Sequence, residues 1–164
     1  MKITAEIIKR SPAWRKHKDI NSRSVKNIIK HTISLMPNFS EITEVEIAIL
    51  LTDNEEMQEL NTNYRGKNKP TNVLSFPFVT IDPNNALEFK PSRHYNYLGD
   101  LAFGYEVIEL ESKSIGFYEH FTHLLVHGLL HLIGFDHEAG EKNARDMENL
   151  EVKILNHFSI NSPY

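Results

Sequence analysis

His127, His131 and His137 stand in one short stretch, His127-Gly-Leu-Leu-His131-Leu-Ile-Gly134-Phe-Asp136-His137, with the spacing H-x3-H-x5-H. Histidines four apart share a helical face one turn apart, so both imidazoles can point at one ion. Gly134 lets the helix stop in a left-handed turn, and the chain can then fold back to bring in His137. Three neutral nitrogens with an open fourth position describe a catalytic zinc site rather than a closed structural one. The chain has no cysteine, so any metal must be held by His, Asp or Glu. The expected cofactor is one Zn2+ per chain, with each of the three nitrogens about 2.0–2.1 Å from the ion.

The same spacing occurs in the zinc-protease frame H-E-x-x-H-x-x-G-x-x-H, including its glycine. Where that frame carries the glutamate that serves as general base, this chain has Gly128. A glycine cannot take a proton. The geometry of a hydrolytic zinc site is kept while the usual base of a protease is missing. A helix with histidines merely satisfied in the core would account for one of them. It does not account for three at ligand spacing around a helix-stopping glycine.

Bulk properties set the outer limits. A chain of 164 residues, 40% apolar and 24% charged, reads as one soluble domain over residues 1–164 with a core that needs no staples. The start, MKITAEIIKRSPAW, has neither an uninterrupted apolar run nor a small-residue cleavage site, so secretion is not expected and a cytoplasmic location is. The longest apolar stretch, Leu124 to Phe135, is too short to span a bilayer. Net charge is −4, which argues against general nucleic-acid binding, but it is unevenly spread. Residues 1–31 carry nine Lys/Arg against Glu6 and Asp19, a balance of +7 that leaves −11 for the rest. Arg15, Lys16 and Arg23 belong to this basic segment, which is either a phosphate-attracting face or a solvated helix face.

The elements that must position the histidines follow from periodicity. Residues 2–9 alternate as a strand with Ile3, Ala5 and Ile7 on one side. Val25, Ile28, Ile29, Thr32, Ile33 and Met36 recur at helical spacing, with Ser22 or Ser24 as cap and Pro37 as stop. Glu44 to Leu51 reads as a buried strand. Thr52-Asp53-Asn54-Glu55 has the form of a capping box for a helix through Met57, Leu60 and Tyr64. Val73 to Phe78 and Tyr97 to Phe103 are further strands, separated by a long exposed loop over 79–96. Helices follow over Tyr105 to Ser112, over Tyr118 to Ile133, and through Met147, Leu150, Ile154, Leu155 and Phe158. The second of these carries the histidines and is apolar on nearly every face. The expected fold class is α+β, a small mixed four-stranded sheet packed with about five helices, the metal-binding helix central.

Three blocks in order carry a resemblance: Leu60-Asn61-x-x-Tyr64-Arg65-Gly66-Lys67-x-x-Pro70-Thr71-Asn72-Val73-Leu74-Ser75-Phe76-Pro77, then Leu98-Gly99-Asp100-Leu101, then His123 through His137. Together they resemble the YbeY family of bacterial rRNA maturation factors, over roughly residues 45–155. The resemblance implies a zinc-dependent endoribonuclease that cuts single-stranded RNA in 16S rRNA 3′-end maturation and ribosome quality control. It also implies the small ribosomal subunit or its associated proteins as partners. One position departs from the pattern: Asn72 stands where that family usually has Asp.

Arg65, between a helix and a strand and beside Lys67 and Lys69, suits bidentate phosphate binding and stabilisation of charge developing during cleavage. The resemblance points to the same arginine, and His127 is assigned a catalytic as well as a ligand role. Lys67 and Lys69 read as charges that attract an RNA backbone. His123 lies one turn before His127 and either orients a ligand, shuttles a proton or is a hydrogen-bonded core histidine. Asp136 either accepts a proton from a ligand imidazole or caps the turn. Asp100 either lines the cleft or meets a partner. His120, Glu138, Ser75 and Thr71 are near the motifs without a decisive cue. Two other readings stand beside the nuclease: a metallopeptidase with an atypical base, and a ribosome-associated RNA-binding factor with a structural metal.

Overall fold

A computed structural model describes residues 1–164. Four strands, β1 (Lys2–Lys9), β2 (Glu44–Thr52), β3 (Val73–Pro77) and β4 (Tyr95–Gly104), form one sheet in the order β1-β2-β4-β3. β1, β2 and β4 run parallel, and β3 closes one edge antiparallel to β4. Five α-helices accompany them: α1 (Ser22–Ser34), α2 (Asn54–Arg65), α3 (Tyr105–Glu111), α4 (Phe117–Leu132) and α5 (Glu141–His157). The α+β class, the mixed four-stranded sheet and the number of helices are as the sequence predicts.

α4 is central because few of its positions tolerate water. Phe121, Leu125, Val126, Leu129 and Leu130 are all fully buried, and the helix packs on β3 and β4 while touching α1, α3 and α5. α2 lies on the other sheet face, where Met57, Leu74 and Ala102 make a small separate cluster. Trp14 anchors the start of α4. Its ring is fully buried edge-on to Tyr105, Phe117 and Phe121, and its indole N–H donates to the Thr52 carbonyl at 2.9 Å. No helix is long and apolar enough to cross a membrane.

Three local expectations shift. Asn21, not Ser22 or Ser24, caps α1: its extended backbone lets the side-chain oxygen accept from Arg23 and Ser24, while Ser24 Oγ accepts from the Asn21 N–H. Asp53, not Thr52, caps α2 by accepting from the Glu56 N–H at 3.2 Å, because Thr52 is still held in β2 opposite Gly104. The segment 79–96 is less exposed than its composition suggests. Ala86 is buried, Asn38 donates to the Ala86 and Phe89 carbonyls at 3.3 and 3.0 Å, and Ile81 packs on Gly134.

Candidate metal centre and cleft

The end of α4 sets the site. Gly134 has φ +100, in the region that favours glycine, and its N–H donates to the His131 carbonyl at 3.1 Å. The next N–H, of Phe135, reaches back to the Leu130 carbonyl at 3.0 Å. This pair of reversed bonds is a Schellman ending. It turns the chain sharply and returns His137 to the face that carries His127 and His131. The ring centroids are 4.7 Å apart for His127 and His131, and 5.2 Å from each of these to His137. One nitrogen from each ring falls within 4.8 Å of the other two.

The protonation of these rings follows from their surroundings. Burial, reinforced by the neighbouring His127 and His137, pushes His131 down to about 4, so it is neutral at pH 7. His127 Nδ1 lies 2.7 Å from Glu151 Oε1. A carboxylate only accepts, so Nδ1 carries the hydrogen and Nε2 presents its lone pair. That Nε2 lies 3.2 Å from His131 Nε2. Two convergent ring nitrogens, with a third close by, form a donor set suited to a metal ion with one position facing the cleft.

The cleft, of about 580 Å³, runs between the end of α4 and the edge strand β3. Arg65 enters its wall from the last turn of α2, where Gly66 at φ +66 ends the helix. Its guanidinium lies 3.5 Å from Glu138 Oε1, both side chains being substantially solvated. Tyr64 and Phe76 line the same wall, edge-on with centroids 5.0 Å apart. Val79, Thr80, Ile81 and Pro83 of the long loop complete it.

Comparison with known proteins fits this geometry. The family model described as Endoribonuclease YbeY matches residues 13–159. The Endoribonuclease YbeY of Bartonella henselae is 40% identical over 167 aligned positions, covering 99% of this chain and 97% of that protein. This chain belongs to the YbeY endoribonuclease family. In fold it is also similar to a Thermotoga maritima protein solved in solution, with a TM-score of 0.56 at 22% identity over 93% of this chain and 87% of that one.

Within a YbeY-type chain Gly128 has a packing reason. A Cβ built there would lie 2.8 Å from Leu101 Cδ2 and 3.2 Å from Ser75 Oγ, and Ser75 Oγ donates to the Gly128 carbonyl at 3.3 Å. Position 128 faces the sheet, where a glutamate has no room. The metallopeptidase reading falls with the family assignment, and so does the binding module without activity.

The other sequence candidates separate. Asp100 is exposed and accepts from the Tyr97 hydroxyl at 2.8 Å. Its neighbour Leu101 points at α4, so by strand alternation Asp100 faces the opposite side of the sheet, away from the histidines. Asp100 is not among the residues that line the cleft. Asp136 lines the cleft, but its Oδ1 accepts from the Glu138 N–H at 2.8 Å, the turn-capping arrangement. His123 does not line the cleft; its Nε2 lies 3.1 Å from Glu151 Oε2. Lys67 and Lys69 are exposed on the turn beside Arg65. Arg15, Lys16 and Arg23 are exposed in segments that follow β1, the sheet edge opposite β3, and none of them lines the cleft. Asn72 also lies outside it, donating to Glu111 at 3.1 Å, a contact that a carboxylate at this position would make repulsive.

The residue that sequence reasoning missed is Glu151. It is 0% exposed and accepts from His123, His127 and the Tyr164 hydroxyl. Burial alone would raise its pKa, but these hydrogen bonds hold it at about 2. A signal was present: Glu151 falls in the apolar register of α5, between Met147 and the Ile154–Leu155 pair. A carboxylate at a core position needs donors.

Proposed function

We propose that the histidine cleft is the active site of a zinc-dependent endoribonuclease that cuts single-stranded rRNA, acting in 3′-end maturation of small-subunit rRNA and in ribosome quality control. Its partners on this reading are the small subunit or proteins bound to it, and its location is the cytoplasm. The observation that carries the reading is the convergence of His127, His131 and His137 on a cleft whose other wall presents Arg65. When bound at the three histidines, the ion supplies Lewis acidity toward a phosphodiester.

The chain's own residues supply the rest. Arg65 binds the scissile phosphate and stabilises the charge that builds on it during cleavage. Its contact with Glu138 is a solvated pair of small net worth, so a phosphate can displace the carboxylate. Tyr64 and Phe76 offer aromatic surface beside that phosphate, suited to unstacked bases of a single strand. Position 128 supplies no base, which suits a substrate that carries its own nucleophile in the 2′-hydroxyl. Lys67 and Lys69, beside Arg65, attract the RNA backbone, and the basic residues after β1 serve a more distant part of the RNA or its particle.

The test joins metal analysis to cleavage of a single-stranded RNA by wild type, Arg65→Ala and His127→Ala. The expected result is zinc in wild type and Arg65→Ala, little in His127→Ala, and strong cleavage by wild type alone. Equal cleavage by all three would betray a contaminating nuclease and sink the assignment. A cyclic phosphate on the product would assign the attack to the 2′-hydroxyl.

A further inference from the structure

Glu151 is the only carboxylate among the fully buried side chains, and it lies behind the histidines rather than in the cleft. Removing such a group from water is costly unless its oxygens are fully engaged. Here both are. Oε1 accepts from His127 Nδ1 at 2.7 Å, and Oε2 accepts from His123 Nε2 at 3.1 Å and from the Tyr164 hydroxyl. Tyr164 reaches it from the segment beyond α5, with its ring set edge-on to His123 at 6.1 Å between centroids.

We propose that Glu151 is a positioning residue for the metal centre and that Tyr164 and His123 hold it in place. By accepting from Nδ1, Glu151 fixes His127 in the tautomer whose Nε2 faces His131 and His137. Its negative charge makes that nitrogen a better donor to a cation. The arrangement ties α5 and the segment after it to the ligand face of α4. The inference rests on the metal-binding half of the proposed function, the reading of the histidine cleft as a zinc site.

A competing arrangement uses the same atoms. His123, His127 and Glu151 also bring their ligand atoms within 4.8 Å of one another, as a second cation site would. A second ion there would need His127 to give up Nδ1–H as well as the Nε2 lone pair. The fully buried carboxylate, with its hydrogen-bonding donors already in place, favours the single-ion arrangement.

Full-length wild type, Glu151→Gln, Glu151→Ala and Tyr164→Phe, each stripped of metal, are titrated with zinc against a competing chelator. Zinc affinity is expected to fall about tenfold in Glu151→Gln and up to about a hundredfold in Glu151→Ala. Tyr164→Phe should shift it in the same direction by a smaller factor. Long-range proton–nitrogen spectra of the metal-free proteins should show His127 as the Nδ1–H tautomer in wild type and as a mixture in Glu151→Ala. A merely structural glutamate would lower the unfolding midpoint while leaving tautomer and zinc affinity alone, and that result overturns the proposal. Should Glu151→Ala fail to fold, Glu151→Gln and Tyr164→Phe decide, and wild-type affinity in both is equally fatal. Two zinc ions per wild-type chain, one of them lost in His123→Ala, would replace the proposal with the second cation site. Wild type that binds zinc but leaves RNA intact would end the nuclease reading and leave this one standing. Cleavage with unaltered zinc affinity in Glu151→Gln would do the reverse.

Discussion

The α4 wall of the cleft holds His127 against a carboxylate that is 0% exposed, whereas the α2 wall presents Arg65 to solvent beside a still more solvated Glu138 at 3.5 Å. On the first side His127 and His131 are half-buried, and His127 is tied to a fully buried carboxylate and lies 3.2 Å from His131, so displacement of one of these side chains disturbs the other. On the second side a long cation shares a weak pair with a carboxylate it can leave at small cost. The difference matches the tasks proposed for each wall. A metal centre needs fixed donors, while an arm that meets a mobile polyanion needs charge and reach more than rigidity.

That contrast can be broken from either side. The largest effect is expected from His131→Ala, which should lose zinc and reduce RNA cleavage to the level of the metal-stripped protein. Metal analysis and a cleavage assay read both, and retained zinc with full activity would refute the rigid wall. Arg65→Ala should lower kcat about a hundredfold, the order seen when one group stabilising transition-state charge is removed, while zinc affinity stays as in wild type. Loss of zinc in that variant would mean that the walls are coupled. Gly128→Ala tests how closely α4 rests on the sheet. Its Cβ would meet Leu101 at 2.8 Å, and overpacking of this kind costs about 1–3 kcal/mol, readable as a lower urea midpoint. An unchanged midpoint would show that Leu101 yields freely. The smallest effect belongs to Glu138→Gln. Freeing Arg65 from a solvated pair worth about 0.5–1 kcal/mol should tighten RNA binding about twofold to fivefold, measured in the His131→Ala background. Weaker binding would mean that Glu138 positions the arginine rather than competing for it.

Much of this molecule was legible before any tertiary contact. The period of α4, the arrest at Gly134 and the return of His137 are local properties, encoded by apolar spacing and by a backbone angle that favours glycine. The order of strands and helices followed from the same periodicities, with the caps displaced slightly, to Asn21 rather than Ser22 or Ser24 and to Asp53 rather than Thr52. The family blocks lie in those same segments, so the cleft's two walls could be named together.

What only the tertiary structure decided is which side chains meet across elements. Glu151 reads as a charge in the apolar register of α5 with no partner named, until α5 packs on α4 and places it, fully buried, under His127 and His123. Asp100 reads as a residue of the cleft or of a partner surface until the alternation of β4 turns it to the face opposite Leu101, and Arg15, Lys16 and Arg23 as a basic segment of undefined position until the fold leaves them outside the cleft. Gly128 reads only as a missing base until Leu101 and Ser75 close on it. Local sequence dictates backbone angles and periodicity because those depend on neighbours along the chain. The partner of a buried carboxylate or the face of a strand residue depends on how distant segments pack, which no single segment specifies.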